Sequence, residues 1–279
     1  MVTFAPLFSK PEDRNRFDPN MISILASILR FIFRGLLLIL FLLFLLMPSL
    51  MRINHYRRLG TTEGHGKADR HGMMLARRLL WFFGIRVQAG GQAGSGAVLM
   101  AANHISWLDI LALHSACAMG FVAKAEIRNW PVFHYIARTG GTIFHERGNH
   151  DSAAGVVTLM AARLREGRAV TIFPEGGIEA GAPIRIFHAR MFKAAVDVGC
   201  EVQPVMLRYV RAGRIDDDVA FRVGENMAVN LARQLARPKS VAEVRFLPPM
   251  DATDQPRRAL ADGARAAVVD SYATPVTGT

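Results

Sequence analysis

Along this chain the longest departure from mixed polarity spans residues 21–47, almost wholly apolar and charged only at Arg30 and Arg34. As one helix it would run about 40 Å at 1.5 Å per residue, enough to cross a bilayer or lie deep in one leaflet. Arg30 and Arg34 fall four apart on one face, where their stems could carry the charge out to headgroups. Residues 1–20 are polar and contain Pro6, Pro11 and Pro19, the composition of a loose tail. Residues 54–72 are polar and basic, and residues 73–83 read as a basic-apolar helix stopped by Gly84. Trp81 and the phenylalanines after it, with Arg77 and Arg78, suit either a membrane interface or packing on a domain.

From residue 85 the period changes, and short apolar runs alternate with helical spacings. Strands are expected at 85–89, 97–102, 121–123, 142–144, 169–173, 202–209, 219–223 and 241–247. Helices are expected from the turn at Asp109 to about residue 119, and at 129–138, 151–166, 187–198, 229–236 and 256–271. Asp151 and Ser152 offer an N-cap, and Pro256 a first helical position. This alternation argues for an α/β fold built on one mixed, largely parallel sheet with its site at strand ends. The organisation expected is a tail (1–20), membrane-anchoring helices (21–84), a globular domain (85–272) and a disordered end (273–279).

Charge narrows the partners. The net formal charge is +11, so anionic partners are expected, and the apolar segment favours membrane lipid over nucleic acid. Residues 51–90 carry eight basic against two acidic side chains while residues 1–20 balance, which places the downstream part in the cytoplasm. The apolar segment starts late and is followed by no small-x-small site, unlike a cleaved signal peptide. The two cysteines, Cys117 and Cys200, lie in apolar patterns and read as reduced and buried.

Four segments at expected strand ends carry chemistry. In Asn103-His104-Ile105-Ser106-Trp107-Leu108-Asp109 the carboxylate can accept from one imidazole nitrogen and leave the other free as a base. A surface loop with a capping aspartate is the plainer alternative. The stretch 140–148 presents Arg147, suited to bidentate phosphate contact unless it pairs with Glu146. Phe173-Pro174-Glu175-Gly176-Gly177 halts a strand and bares N–H groups that could hold a phosphate or an oxyanion, or it is a plain turn. Val202-Gln203-Pro204-Val205-Met206 is an apolar strand interrupted by proline. Residues 208–214 are basic, either a solvated loop or a contact for an acidic headgroup or coenzyme A. No spacing matches a metal site, and no Gly-x-Ser-x-Gly elbow supports a hydrolase.

The order and spacing of these blocks, Asn-His-(four)-Asp, Gly-x-Ile-Phe-x-x-Arg, Phe-Pro-Glu-Gly and Val-x-Pro-Val, resemble the glycerolipid acyltransferase family, which includes the 1-acylglycerol-3-phosphate acyltransferases. The resemblance covers roughly residues 85–210. It implies a single glycerol-3-phosphate-acyltransferase-like domain behind a hydrophobic anchor, on the cytoplasmic face of the inner membrane. His104 would be the general base for the acceptor hydroxyl, oriented by Asp109. The alkoxide would attack an acyl thioester directly, with no covalent acyl-enzyme, no metal and no cofactor; acyl-ACP or acyl-CoA is the co-substrate. Arg147 would bind an acceptor phosphate, Asn103, Glu175, Gly176 and Gly177 would shape the acceptor site, and Pro204 the strand beside it.

The chain departs from the family pattern at Gly177, where Thr or Ser is usual, and at His145, usually aliphatic. Residues 187–195, with Gly224-Glu225-Asn226, look more like the lyso-ornithine-lipid acyltransferase branch. The acceptor expected first is 1-acylglycerol-3-phosphate, giving phosphatidic acid, with lyso-ornithine lipid as the alternative. A non-enzymatic, basic membrane-surface adaptor is the reading from a different class.

Overall fold

The computed structural model of the chain describes residues 19–124, 142–145, 150–178 and 184–275. Its centre is a sheet of β1 (Ile85–Gly90), β2 (Val98–Ala102), β3 (Gly120–Lys124), β4 (Ile143–His145), β5 (Val170–Ile172), β6 (Glu201–Arg211), β7 (Arg214–Ile215), β8 (Ser240–Phe246) and β9 (Met250–Asp251). The strands lie in the order β1-β8-β6-β2-β5-β3-β4, with β7 and β9 also pairing with β6. Pairing is parallel except where β6 meets β8, β7 and β9. The expected mixed, largely parallel sheet is therefore present.

Period-two alternation explains the layers. In β2, Val98, Met100 and Ala102 enter one hydrophobic cluster and Leu99 and Ala101 the other, so the strand is buried on both faces. Helices α3 (Thr62–Phe82), α4 (Leu108–Ala116) and α7 (Met227–Ala236) cover the first face. Helices α5 (His150–Arg165), α6 (Lys193–Val198) and α8 (Arg257–Ala273) cover the second.

Ahead of the sheet, α1 (Pro19–Phe41) passes through a π-helical turn, Leu42–Leu46, into α2 (Met47–Arg58). The helix thus runs well past the expected end at Met47, and Met21–Arg58 is long and apolar enough to cross a membrane. Pro48 lacks an N–H and crowds the carbonyl four residues back; the wider π turn before it absorbs that misfit and lets the helix continue. Helix α3 also begins well before the expected Met73. Thr61 caps it by accepting from the Gly64 N–H at 3.0 Å. Two glycines of α3 mark close approaches between helices. A Cβ on Gly64 would lie 2.6 Å from the Tyr56 carbonyl oxygen of α2, and one on Gly72 would lie 2.9 Å from His114 Nε2 of α4.

Arg30 and Arg34 do not reach outward as expected. Arg30 Nε donates to the Ala236 carbonyl at 2.9 Å, and Arg34 Nη1 donates to those of Leu235 at 3.2 Å and Arg237 at 2.7 Å. Two cations on α1 therefore satisfy carbonyls at the C-terminal end of α7, where the helix dipole also favours positive charge. Gly84 (φ +69°) leaves the space that the Arg34 guanidinium occupies.

Three further expectations change. Residues 219–223 form no strand: Asp217–Val219 is a 3-10 turn, Val219 is buried, and Gly224 (φ +73°) sits in the next turn. Both edges of β6 are already taken, so the apolar Val219 enters the core without a ladder. The helix expected at 187–198 starts as a 3-10 turn, Ala189–Phe192, before α6. Arg208, read as part of a basic loop segment, is fully buried in β6 and paired with Glu243 at 2.7 Å. The helix expected at 129–138 lies outside the described residues.

Candidate active site

At the C-terminal end of β2 the chain turns over the edge of the sheet and enters α4. The turn is wound around one carboxylate. Asp109, on the first turn of α4 and fully buried, accepts from Ile105 N–H at 2.6 Å, Ser106 N–H at 2.8 Å and His104 Nδ1 at 2.9 Å, all on Oδ2. An ionised carboxylate only accepts, so the neutral imidazole carries its proton on Nδ1 and keeps a lone pair on Nε2. The Phe173 ring stacks on the imidazole at 3.9 Å and 14°, fixing its plane. The His104 side chain keeps 14% exposure, so the pair is sheltered yet reachable.

Glu175, in the turn after β5, bridges two backbone groups. Its Oε1 accepts from His104 N–H at 2.8 Å and its Oε2 from Arg185 N–H at 2.9 Å. Burial raises the affinity of this carboxyl for a proton, and the two N–H bonds oppose that rise. The Arg185 guanidinium closes the same turn by donating to the carbonyls of Glu175 at 3.1 Å and Gly177 at 2.8 Å. Arg265 of α8 holds the carbonyls of Ile184 and Arg185 in turn, at 2.8 Å each. Gly176 (φ +78°) adopts a left-handed conformation with the His188 ring close by, 3.4 Å from where a Cβ would lie.

Asn103 works as a ladder rung. The parallel pairing of β2 with β6 ends at Ala102 and Val205. One residue on, the Asn103 amide donates to the Leu207 carbonyl and accepts from the Leu207 N–H, both at 2.8 Å. Pro204 lies within β6, between the residues that pair with β9 and those that pair with β8, and its carbonyl accepts from Leu247 N–H at 3.0 Å. A proline is tolerated where the ladder on one side is interrupted. The structure thus joins His104, Asp109, Glu175, Gly176 and Gly177 through direct contacts and their shared turn, while Asn103 and Pro204 fix the strands beneath. Arg147 lies outside the described residues.

Sequence reasoning missed three supports. Tyr209 donates its hydroxyl to Asp109 Oδ1 at 2.7 Å. Arg185 lies in an irregular stretch that gave no signal. Trp107, inside the motif, donates from Nε1 to Asn230 Oδ1 at 2.9 Å, and Asn230 Nδ2 donates to Glu225 Oε2 at 2.8 Å. Arg233 binds both oxygens of Glu225, at 2.7 and 2.6 Å, and holds its carboxyl down to about 2. The stretch around Gly224-Glu225-Asn226 is thereby tied to the motif loop.

A hydrogen-bonded His–Asp pair thus sits where the parallel strands of an α/β sheet end. The family model described as "Acyltransferase" matches residues 84–208. The lyso-ornithine lipid O-acyltransferase of Pseudomonas aeruginosa is 35% identical over 182 residues, 65% of this chain and 70% of that protein. The 1-acyl-sn-glycerol-3-phosphate acyltransferase of Neisseria meningitidis is 35% identical over 137 residues, 48% of this chain and 54% of that one. The crystal structure of the 1-acyl-sn-glycerophosphate acyltransferase PlsC from Thermotoga maritima shares the fold, with TM-score 0.60 and 16% identity over 91% of this chain and 98% of that chain. The chain belongs to the acyltransferase family. It is an enzyme, and the adaptor reading is excluded.

Proposed function

We propose that the chain O-acylates a lysolipid at a membrane surface, with His104 as general base and Asp109 as its orienting partner. The observation that carries this reading is the Nδ1–Asp109 contact, which leaves Nε2 free beside the turn holding Glu175 and Gly176. Nε2 takes the proton of the acceptor hydroxyl as the oxygen bonds to the thioester carbonyl carbon. The C–S bond then breaks, and the leaving thiolate recovers the proton from the imidazolium. The donor is an acyl thioester, acyl-ACP or acyl-CoA, and the chain's own residues supply the base.

The exposed apolar side chains of α1 support anchoring in a bilayer, among them Ile24, Leu25, Ile32, Phe33 and Leu36. With the basic residues that follow, they favour the inner membrane with the catalytic domain on its cytoplasmic side. Both substrate and product are amphiphiles, so a base on a membrane-anchored chain meets its acceptor where the acceptor resides.

Lysophosphatidate and lyso-ornithine lipid are the two acceptors this reading accommodates. The alignment reaching 70% of a lyso-ornithine lipid enzyme, against 54% of a 1-acyl-sn-glycerol-3-phosphate one, favours lyso-ornithine lipid as the acceptor to try first. Gly177 agrees, since it lacks the hydroxyl usual in the phosphate-acceptor pattern. The test is transfer from labelled acyl-ACP and acyl-CoA to each acceptor by the purified full chain in micelles. A two-chain product from either acceptor supports the reading. No product from any donor–acceptor pair, with folded protein, contradicts it.

A further inference from the structure

The two oxygens of Asp109 are served unequally. Oδ2 takes the donors of its own loop and of His104, whereas Oδ1 accepts from the Tyr209 hydroxyl at 2.7 Å, across from β6. Tyr209 is 1% exposed and lies on the same face of β6 as Val205 and Leu207, beneath α4. Its neighbour Arg208, one residue away and so on the opposite face, is committed to Glu243 and to the carbonyls of Tyr272 and Thr274. Burial first, then the Asp109 charge, push the Tyr209 phenol well above its ordinary value, so it remains a donor wherever the enzyme works.

We infer that Tyr209 is a positioning residue of the acyl-transfer site: its hydroxyl fixes the Asp109 carboxylate and, by drawing charge toward Oδ1, sets the pH at which His104 becomes a free base. The inference rests on the reading of His104 as the base. A carboxylate that shares its charge with the phenol pulls less strongly on Nδ1. Without the phenol the charge returns to the His104 contact, the imidazolium is stabilised, and its proton leaves at higher pH. Among the described residues, the other titratable groups around the pair are Glu175 after β5, Arg185 and His188 in the following segment, and Tyr272 at the end of α8. Substitution at Tyr209 leaves all of them in place.

The test measures kcat/KM against pH for the full chain in micelles, in Tyr209→Phe and in protein carrying 3-fluorotyrosine at position 209. For Tyr209→Phe the expected outcome is a rate about 10-fold lower at neutral pH and a rising limb moved up by about half a pH unit, with acceptor KM nearly unchanged. 3-Fluorotyrosine is a stronger donor and only one ring fluorine larger than tyrosine, so its limb should move down. Combined with Asp109→Asn, Tyr209→Phe should cost almost nothing more, because the two act as one unit. Limbs that stay in place, or effects that multiply with Asp109→Asn, would overturn the inference. If Tyr209→Phe fails to fold, the fluorotyrosine limb decides alone. His104→Ala separates the two claims. Loss of transfer with unmoved limbs removes only the role of Tyr209, and retained transfer removes the base itself.

Discussion

Glu175→Gln changes one carboxylate oxygen to an amide nitrogen and leaves the volume alone. In the native site one oxygen accepts from His104 N–H at 2.8 Å and the other from Arg185 N–H at 2.9 Å. A glutamine accepts on one side only; whichever way it flips, an NH2 group faces an N–H. One sheltered backbone donor is left unpaired, at a cost of about 1–3 kcal/mol. If that cost falls on the working conformation of the His104 loop, kcat drops about 5- to 150-fold. Acceptor KM should change far less, because both oxygens are spent on the protein's own backbone. The assay varies the acceptor at saturating donor and reads kcat and KM separately. A tenfold rise in acceptor KM with kcat unchanged would refute this reasoning and place Glu175 on the acceptor.

Gly84→Ala should destabilise the fold by at least about 2 kcal/mol, since its φ of +69° disfavours a side chain and a Cβ would lie 2.5 Å from Arg34 Nη2. Gly96→Ala, at φ +79° in open space, is the control; equal losses of thermal stability in detergent would contradict the docking of Arg34 on α7. The Glu225 carboxyl is held down to about 2 from 4.5, chiefly by Arg233, so its contribution is present at neutral pH and lost as pH falls through that window. The stability gap between wild type and Glu225→Gln should therefore shrink between about pH 4.5 and 2, and a gap constant with pH would contradict the pairing.

Much of the fold was legible because it rests on period and punctuation. The fully apolar run at β2, the stop at Gly84 and the proline that opens the last helix at Pro256 are local signals, and they placed most elements within a few residues. Where reading failed, a tertiary contact had overridden a local rule. The start of α3 was placed late, at residue 73, because nothing local says that Tyr56 and His114 press against Gly64 and Gly72. The apolar helix was expected to end at Met47 because a π turn that carries it past Pro48 leaves no mark in composition. Arg30 and Arg34 looked like headgroup ligands because their partners, the carbonyls of α7, lie some two hundred residues away. At the site, His104 and Asp109 were readable from spacing. Tyr209 was concealed in the alternation of β6, where an apolar parity position gives no hint of a hydroxyl aimed at a carboxylate. Glu175 was placed in the right turn, but its service to two backbone N–H groups required the fold.

The most direct measurement is acyl transfer to lyso-ornithine lipid and to lysophosphatidate by wild type and His104→Ala, with folding matched by circular dichroism. Wild type should form a two-chain lipid from at least one acceptor, and His104→Ala should lose about 10²–10⁴ in kcat at neutral pH. Transfer by His104→Ala within a few-fold of wild type would contradict the central claim that this imidazole, held by Asp109, is the base.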